Sequence, residues 1–298
     1  MWAKKIRYVL GVFILLVAAA AVWQGARFFK TEKKVSSRSK SSLVLEEKPF
    51  VIVIPSYKNS SFCEKNLRSV FEQKYKNYRV IYIDDCSPDD TFAKAKDLVE
   101  KSGQQERFTL IRNEKNRGAL SNFYHAIHTC RDNEIIVALD GDDFLAHDEV
   151  LVKLNRIYSK GDVWMTYGNY LDYPTYKQSV VSCKKIPDKV VKQNSFRKAP
   201  WVSSHLRTFY AGLFKQIKYD DLLYQGNFYP MAGDLAMMFP LLEMSGRHAQ
   251  FVSDILYLYN RTNPLNDHKV NFALQEQCAN AIRASLPYQP LKSLPGSL

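Results

Sequence analysis

The stretch FVIVIPSYKNSSFCEKNLRSVFEQKYKNYRVIYIDD, Phe50 to Asp85, holds two apolar runs separated by about twenty residues of different periodicity. The first run, Phe50 to Pro55, is continuous and rich in branched residues, which suits a strand buried on both faces. From Ser61 to Tyr75 the apolar and amphipathic residues Cys63, Leu67, Val70, Phe71 and Lys74 recur at helical spacing. Ser61 with Glu64 has the pattern of a capping box. The second run, YRVIYID, is again a strand. A strand, a helix and a strand in this order predict parallel pairing through a right-handed crossover.

The same alternation continues outward. A helix is expected from about Thr91 to Ser102, a strand in FTLIRN, a helix from about Ala119 to Arg131, and a strand in EIIVALDGDDFL from Glu134. A helix over 148–159 and the strand DVWMTYGNY extend it. The fold class is therefore α/β, with a mostly parallel central sheet flanked by helices. In such sheets the ligand crevice lies beyond the carboxyl ends of the strands. Pro55, Ser56 and Tyr57 end the first strand there, Asp84 and Asp85 the second, the loop Asn113 to Gly118 the third, and Asp140, Asp142 and Asp143 the fourth. Ionised carboxylates at the end of a buried strand need water, a cation or a cationic side chain. A polar turn with Asp caps is the plainer alternative for each motif singly.

The net charge of +12 over 298 residues is unevenly placed. Residues 1–48 hold ten Lys and Arg against three Glu, a net +7, which leaves +5 for the rest. Tyr8 to Trp23 carries no charge and is flanked by basic residues. At about 1.5 Å per residue it spans roughly 24 Å, enough to cross a membrane if flanking residues join it and the lysines and arginines snorkel. A cleavable signal peptide is the alternative, given the small residues Ala18 to Ala21. The reading is a single-pass anchor over 1–30 and a flexible basic tether over 31–48. A folded body follows over 49–285, with halves 49–170 and 171–285, and then a Pro-rich tail over 286–298. The excess of basic residues after the span places the body on the cytoplasmic side. The basic excess then belongs beside anionic lipid rather than nucleic acid, for which no zinc spacing, helix-turn-helix or basic-aromatic face is visible. Cysteines at 63, 86, 130, 183 and 278 are odd in number and lack a CxxC pair, which argues against a disulfide framework.

Four motifs in order carry a resemblance. The run from Val51 to Thr91, the loop and helix NRGALSNFYHAI, and LDGDDFL resemble GT-A fold glycosyltransferases of family 2, over about Val51 to Tyr170. AGDLAMMFPLLEMSG and DILYLYN match more loosely. The resemblance implies a nucleotide-diphospho-sugar transferase moving one sugar, with inversion, to an acceptor hydroxyl on a glycan, a lipid-linked glycan or a protein. It implies that Pro55, Tyr57, Asp84, Asp85 and Arg117 surround the nucleotide, with the ring of Tyr57 facing the base and Asp85, or Asp84, accepting from a uracil N–H. Asp140 would contact the ribose. Asp142, with Asp143 and His268 as further ligands, would hold Mn2+ or Mg2+ against the donor diphosphate. Asp234 would be the base, with an N-cap as its plainer role and Glu243, Asp254 or His205 as substitutes. His205 and Arg207 are expected in a helix. The QxxRW signature of processive members is absent. Two rivals remain: a membrane-tethered pseudoenzyme that binds nucleotide or glycan, and a phosphatase of the haloacid-dehalogenase type, whose DxD motif normally opens its domain.

Overall fold

The computed structural model describes residues 45–178, 183–266 and 270–296. The expected anchor, most of the tether and His268 lie outside the described residues. Among the described residues no helix is long and apolar enough to cross a membrane. Residues 46–48 already belong to the body: Glu46 O accepts from Asn155 Nδ2, Glu47 O from Asn77 Nδ2, and Lys48 N donates to Asn155 Oδ1.

Strand β1 (Phe50–Ser56), helix α1 (Ser60–Phe71), strand β2 (Tyr78–Asp84), helix α2 (Thr91–Ser102), strand β3 (Phe108–Arg112), helix α3 (Ala119–His128) and strand β4 (Ile135–Ala138) follow the expected alternation. Next come β5 (Phe144–Leu145), α4 (Val150–Tyr158), β6 (Met165–Tyr173), β7 (Lys177–Gln178), α5 (Asp188–Lys192), β8 (Ser204–Tyr210) and α6 (Ala211–Phe214). The chain then forms the hairpin β9 (Leu223–Tyr224) and β10 (Asn227–Phe228), helix α7 (Gly233–Ser245), strand β11 (Ala249–Asn260) and helix α8 (Phe272–Ala284).

The main sheet runs β3-β2-β1-β4-β8-β6-β11-β5, with β7 beside β6. The first four strands are parallel, β8 is antiparallel to both β4 and β6, and β6 pairs in parallel with β11. The sheet is thus mixed rather than mostly parallel. The cause is SHLRTFY, which forms a central strand where a helix is expected. Leu206, Thr208 and Phe209 are buried in the sheet, and His205 and Arg207, two residues apart, point together to one face. Polar residues in a buried strand imitate the polar stripe of a helix.

Alternation along β1 sorts the core. Phe50, Ile52 and Ile54 pack with α1, α2 and α4 on one face, through Leu67, Val99 and Leu151. Val51 and Val53 face α3, α7 and α8, through Phe123, Leu241 and Ile282. Helix α1 starts one residue earlier than the sequence suggests: Asn59 occupies its cap position, and no side chain makes a capping bond there. Glu64 pairs instead with Arg68. The buried polar tie in the far half is Arg197 with Glu243, at 2.6 and 2.9 Å, and Glu243 is wholly enclosed. The described part of the Pro-rich tail is seated on the body. Tyr288 N donates to Glu243 Oε2 and Leu291 N to Met244 O. All five cysteines are free.

Candidate active site

Antiparallel pairing of β4 with β8 sets Ala138 opposite Arg207. The chain leaving β4 therefore passes the beginning of β8, and the acids that follow meet His205 and Arg207. Gly141 lets this turn close on β1: a Cβ there would lie 2.6 Å from Ser56 Oγ and 2.8 Å from Pro55 O. Asn66 of α1 holds the turn from below, its Nδ2 donating to Asp140 O at 3.0 Å and Asp143 O at 2.8 Å.

The three acids are not equivalent. Asp143 is 1% exposed and both its oxygens accept hydrogen bonds, from Tyr257 Oη and from Asn260 N, each at 2.6 Å. It ties the turn to the end of β11, and burial beside Asp142 and Asp140 pushes its carboxyl well up. Asp142 is part-buried, and its Oδ2 accepts from Asn263 Nδ2 at 2.7 Å. Its carboxyl is pushed up to about 6, first by burial, with the Asn263 bond opposing and Asp140 adding to the rise. Burial also raises Asp140, against the pull of Arg207 and with Asp234 adding to the rise.

Asp234 is ninety-four positions from Asp140 in sequence. Burial opposes the charge on Arg207, and both carboxylates nevertheless act on it to favour that charge. Asp234 is the second residue of α7; Ala232, in the left-handed region at φ 54°, stands at the cap position, so the expected N-cap role is not the one seen. Non-glycine residues in that region are costly and collect at functional sites. Among the described residues the Asp234 carboxylate accepts only from the adjoining Leu235 N, at 2.9 Å.

The substitutes for the base are placed elsewhere or are already engaged. Glu243 is held by Arg197, and Asp254 pairs with Lys153 on the surface. His205 stacks on Tyr257 at 4.3 Å between centroids, and burial, with Arg207 and Arg261 beside it, pushes its affinity for a proton well below the usual imidazole range.

On the nucleotide side, Tyr57 is half-buried beyond Pro55 at the end of β1, with Lys58 Nζ 5.3 Å from its ring centroid. Asp84 is fully buried, turned to Ser87 N at 3.1 Å and to Arg112 at 3.6 Å. Asp85, 3% exposed, shapes the neighbouring loop. Its oxygens accept from Asn113 Nδ2 at 2.7 Å, Arg117 N at 2.9 Å and Gly118 N at 2.8 Å. A carboxylate has about four acceptor positions, so one remains. Arg117 itself is exposed; its backbone, not its guanidinium, joins the site.

Asp140, Asp143 and His205 bring their ligand atoms within 4.8 Å of one another. Arg207 Nη2 already lies 3.0 and 2.8 Å from the two ring nitrogens of His205. An ion held by this trio would face a permanent cation, whereas the Asp142 carboxylate has Asn263 as its side-chain partner. Tyr257, Asn260 and Asn263 are the site residues that motif reading passes over, and His205 and Arg207 are ones it places in a helix rather than on a strand. A signal was present in NRTNPLN, where Asn260, Asn263 and Asn266 recur every third residue; all three are buried.

A parallel α/β half joined to a mixed half, with acids gathered at the carboxyl ends of the strands, defines a GT-A-like fold. The family model for glycosyl transferase family 2 matches residues 51–217, and the chain belongs to that family. An uncharacterized glycosyltransferase of Haemophilus influenzae is 29% identical over 119 residues, 40% of this chain and 46% of its own length. The UDP-Glc:alpha-D-GlcNAc-diphosphoundecaprenol beta-1,3-glucosyltransferase WfgD of Escherichia coli is 27% identical over 119 residues, 40% and 44% of the two chains. The chain spans half or less of the length of these curated relatives. Among solved structures, Staphylococcus aureus TarS 1-349 in complex with UDP-GlcNAc superposes with a TM-score of 0.59 at 16% identity, covering 78% of this chain and 65% of that one. The mannosyltransferase PcManGT from Pyrobaculum calidifontis, in complex with GDP-Man and Mn2+, gives 0.56 at 18% identity, covering 82% and 66%. At such identities the likeness is one of fold.

Proposed function

We propose that this protein is a membrane-anchored, inverting glycosyltransferase that moves one sugar from a uridine-diphosphate-linked donor to an acceptor hydroxyl. The observation that carries the reading is the convergence of Asp140, at the end of β4, with Asp234, at the head of α7, on Arg207, with Asp142 two residues on in the same turn.

The residues divide the work. Tyr57 offers a ring face to the base, the remaining acceptor position of Asp85 suits a uracil N–H, and Asp140 lies where a ribose hydroxyl would donate. Asp142 fits a divalent ion. It is a hard oxygen donor whose affinity for a proton is raised first by burial and then by Asp140, and a bound cation would relieve both. Mn2+ or Mg2+ there supplies charge neutralisation for the departing diphosphate. Asp234 takes the proton from the acceptor hydroxyl. The new glycosidic C–O bond forms as the anomeric bond to the β-phosphate oxygen breaks, and attack opposite the leaving group inverts the anomeric carbon. Tyr8 to Trp23 would hold the body at a membrane, on its cytoplasmic face, where a lipid-linked glycan acceptor is concentrated.

The test is a panel of uridine and guanosine diphosphate sugars assayed for transfer and for hydrolysis, with manganese and with chelator, on wild type and Asp142→Ala. Turnover of one uridine-linked sugar that is lost in chelator and in the variant is expected. Full activity in excess chelator would refute the metal assignment, and no turnover of any donor would refute the transferase reading.

A further inference from the structure

Arg207 is 5% exposed, yet among the described residues it makes no ion pair within 4.0 Å. The other deeply buried arginine, Arg197, grips Glu243 with two nitrogens and the Ile282 carbonyl with a third. Arg207 has Asp234, Asp140 and Asp143 as electrostatic neighbours but closes on none of them. Its Nη2 meets the ring nitrogens of His205, and its Nε is buried with no hydrogen-bond partner among the described residues.

A guanidinium has five donors in a planar fork suited to carboxylate or phosphate. If Arg207 were simply the counter-ion of the acids, a bidentate pair would be expected, because leaving a buried charge and a buried donor unmatched is costly. The side chain instead runs from its place opposite Ala138 toward His205, at the carboxyl edge of the sheet, the edge to which the proposed function assigns the donor. Of the donor's parts, base, ribose and sugar are neutral; the phosphates alone match a standing cation. The group is also not free to leave, since His205, stacked on Tyr257, braces it.

We infer that Arg207, braced by His205, is a resident cation for the donor diphosphate, acting on the β-phosphate independently of any divalent ion. The inference rests on the donor reading above and concerns a residue to which that reading gave only a place between two acids. It separates two sources of positive charge: an ion at Asp142, removable by chelator, and a guanidinium beneath the site, which is not. His205 is then a positioning residue, since a ring nitrogen without a proton can accept from Nη2.

The test compares UDP with UMP on the full chain in detergent, by calorimetric titration, in manganese and in chelator. The two nucleotides differ only in the β-phosphate. In chelator the wild type is expected to bind UDP about tenfold or more tighter than UMP. Arg207→Gln should bring that ratio to within about threefold while leaving UMP affinity unchanged, and Arg207→Lys should keep part of it. His205→Ala should reduce the ratio less than Arg207→Gln. Retained UMP binding shows that the variant site is folded. A wild type with no preference for UDP in chelator would overturn the inference without any variant, as would Arg207→Gln with an unchanged ratio. Wild type that binds neither nucleotide, nor GDP over GMP, would instead overturn the donor reading, and this inference with it.

Discussion

Asp142→Asn should make the metal-free protein more stable while abolishing its activity. Asp142 has an ordinary value of 3.8 and sits at about 6 in the folded chain. The folded state therefore binds the proton more tightly than the unfolded state, so stability falls as pH rises through this range. At about 1.36 kcal/mol per tenfold change in proton affinity, the full penalty is about 3 kcal/mol. It is absent below about pH 4, about half-developed at pH 5 and complete above about pH 7. Asn keeps the size, and its oxygen can still accept from Asn263, but it carries no charge to desolvate. For a body of this size, about 3 kcal/mol corresponds to roughly 6–12 °C in Tm. Thermal unfolding in chelator should thus show the variant melting higher at pH 8, with about half the advantage at pH 5. Adding manganese should raise the wild type and leave the variant in place, because only Asp142 can hand its unpaired charge to an ion. A variant that melts at or below wild type at pH 8 in chelator would refute the reasoning. So would one that gains as much from manganese as wild type does.

Three further outcomes follow from named contacts. Asp234→Asn should lower transfer by about 10²- to 10⁴-fold with nucleotide affinity and Tm nearly unchanged, as read by rate, titration and melting; transfer within a few-fold of wild type would remove Asp234 as the base. Arg197→Ala should cost about 3–5 kcal/mol in chemical denaturation because it strands the enclosed Glu243, whereas Arg197→Met with Glu243→Leu should recover most of that loss; equal damage in both would show that packing, not charge, dominates there. Gly141→Ala should cost about 1–3 kcal/mol and weaken UDP binding, since its Cβ would meet the Pro55 carbonyl at 2.8 Å and the turn must lift off β1; unchanged affinity would show that the turn adapts.

The first half of the fold was open to reading because its periodicities are unmixed. In β1 and β2 nearly every side chain is buried, and α1 presents Cys63, Leu67 and Val70 along one face. These are burial patterns, and burial is what apolar spacing records. The second half hides its plan for the converse reason. Strand β8 is buried but contains His205, Arg207 and Thr208, since it passes beneath the site. Its neighbour in the sheet, β6, precedes it by about thirty residues of chain, and β11 enters beyond β6. Strand order of this kind is fixed by pairing between distant segments, which no local spacing reports.

The site shows the same division at the scale of single residues. LDGDDFL announces three acids at a strand end but not their different duties, because those depend on what arrives from β11 more than a hundred residues later. Tyr257 and Asn260 consume both oxygens of Asp143, whereas Asn263 takes one oxygen of Asp142. A carboxylate with both oxygens engaged is a structural tie, and one with an oxygen to spare can meet a ligand. Asp85 makes the point from the other side of the crevice. It stands in the most recognisable motif of the chain, yet three of its acceptor positions shape the loop that follows β3. Under the proposed function this motif acid would act twice, building the rim with most of its lone pairs and offering the one that remains to the donor. Changes at Asp85 would then disturb loop and nucleotide together, while changes at Asp142 would act on the ion and on the charge balance of the turn and leave that loop in place.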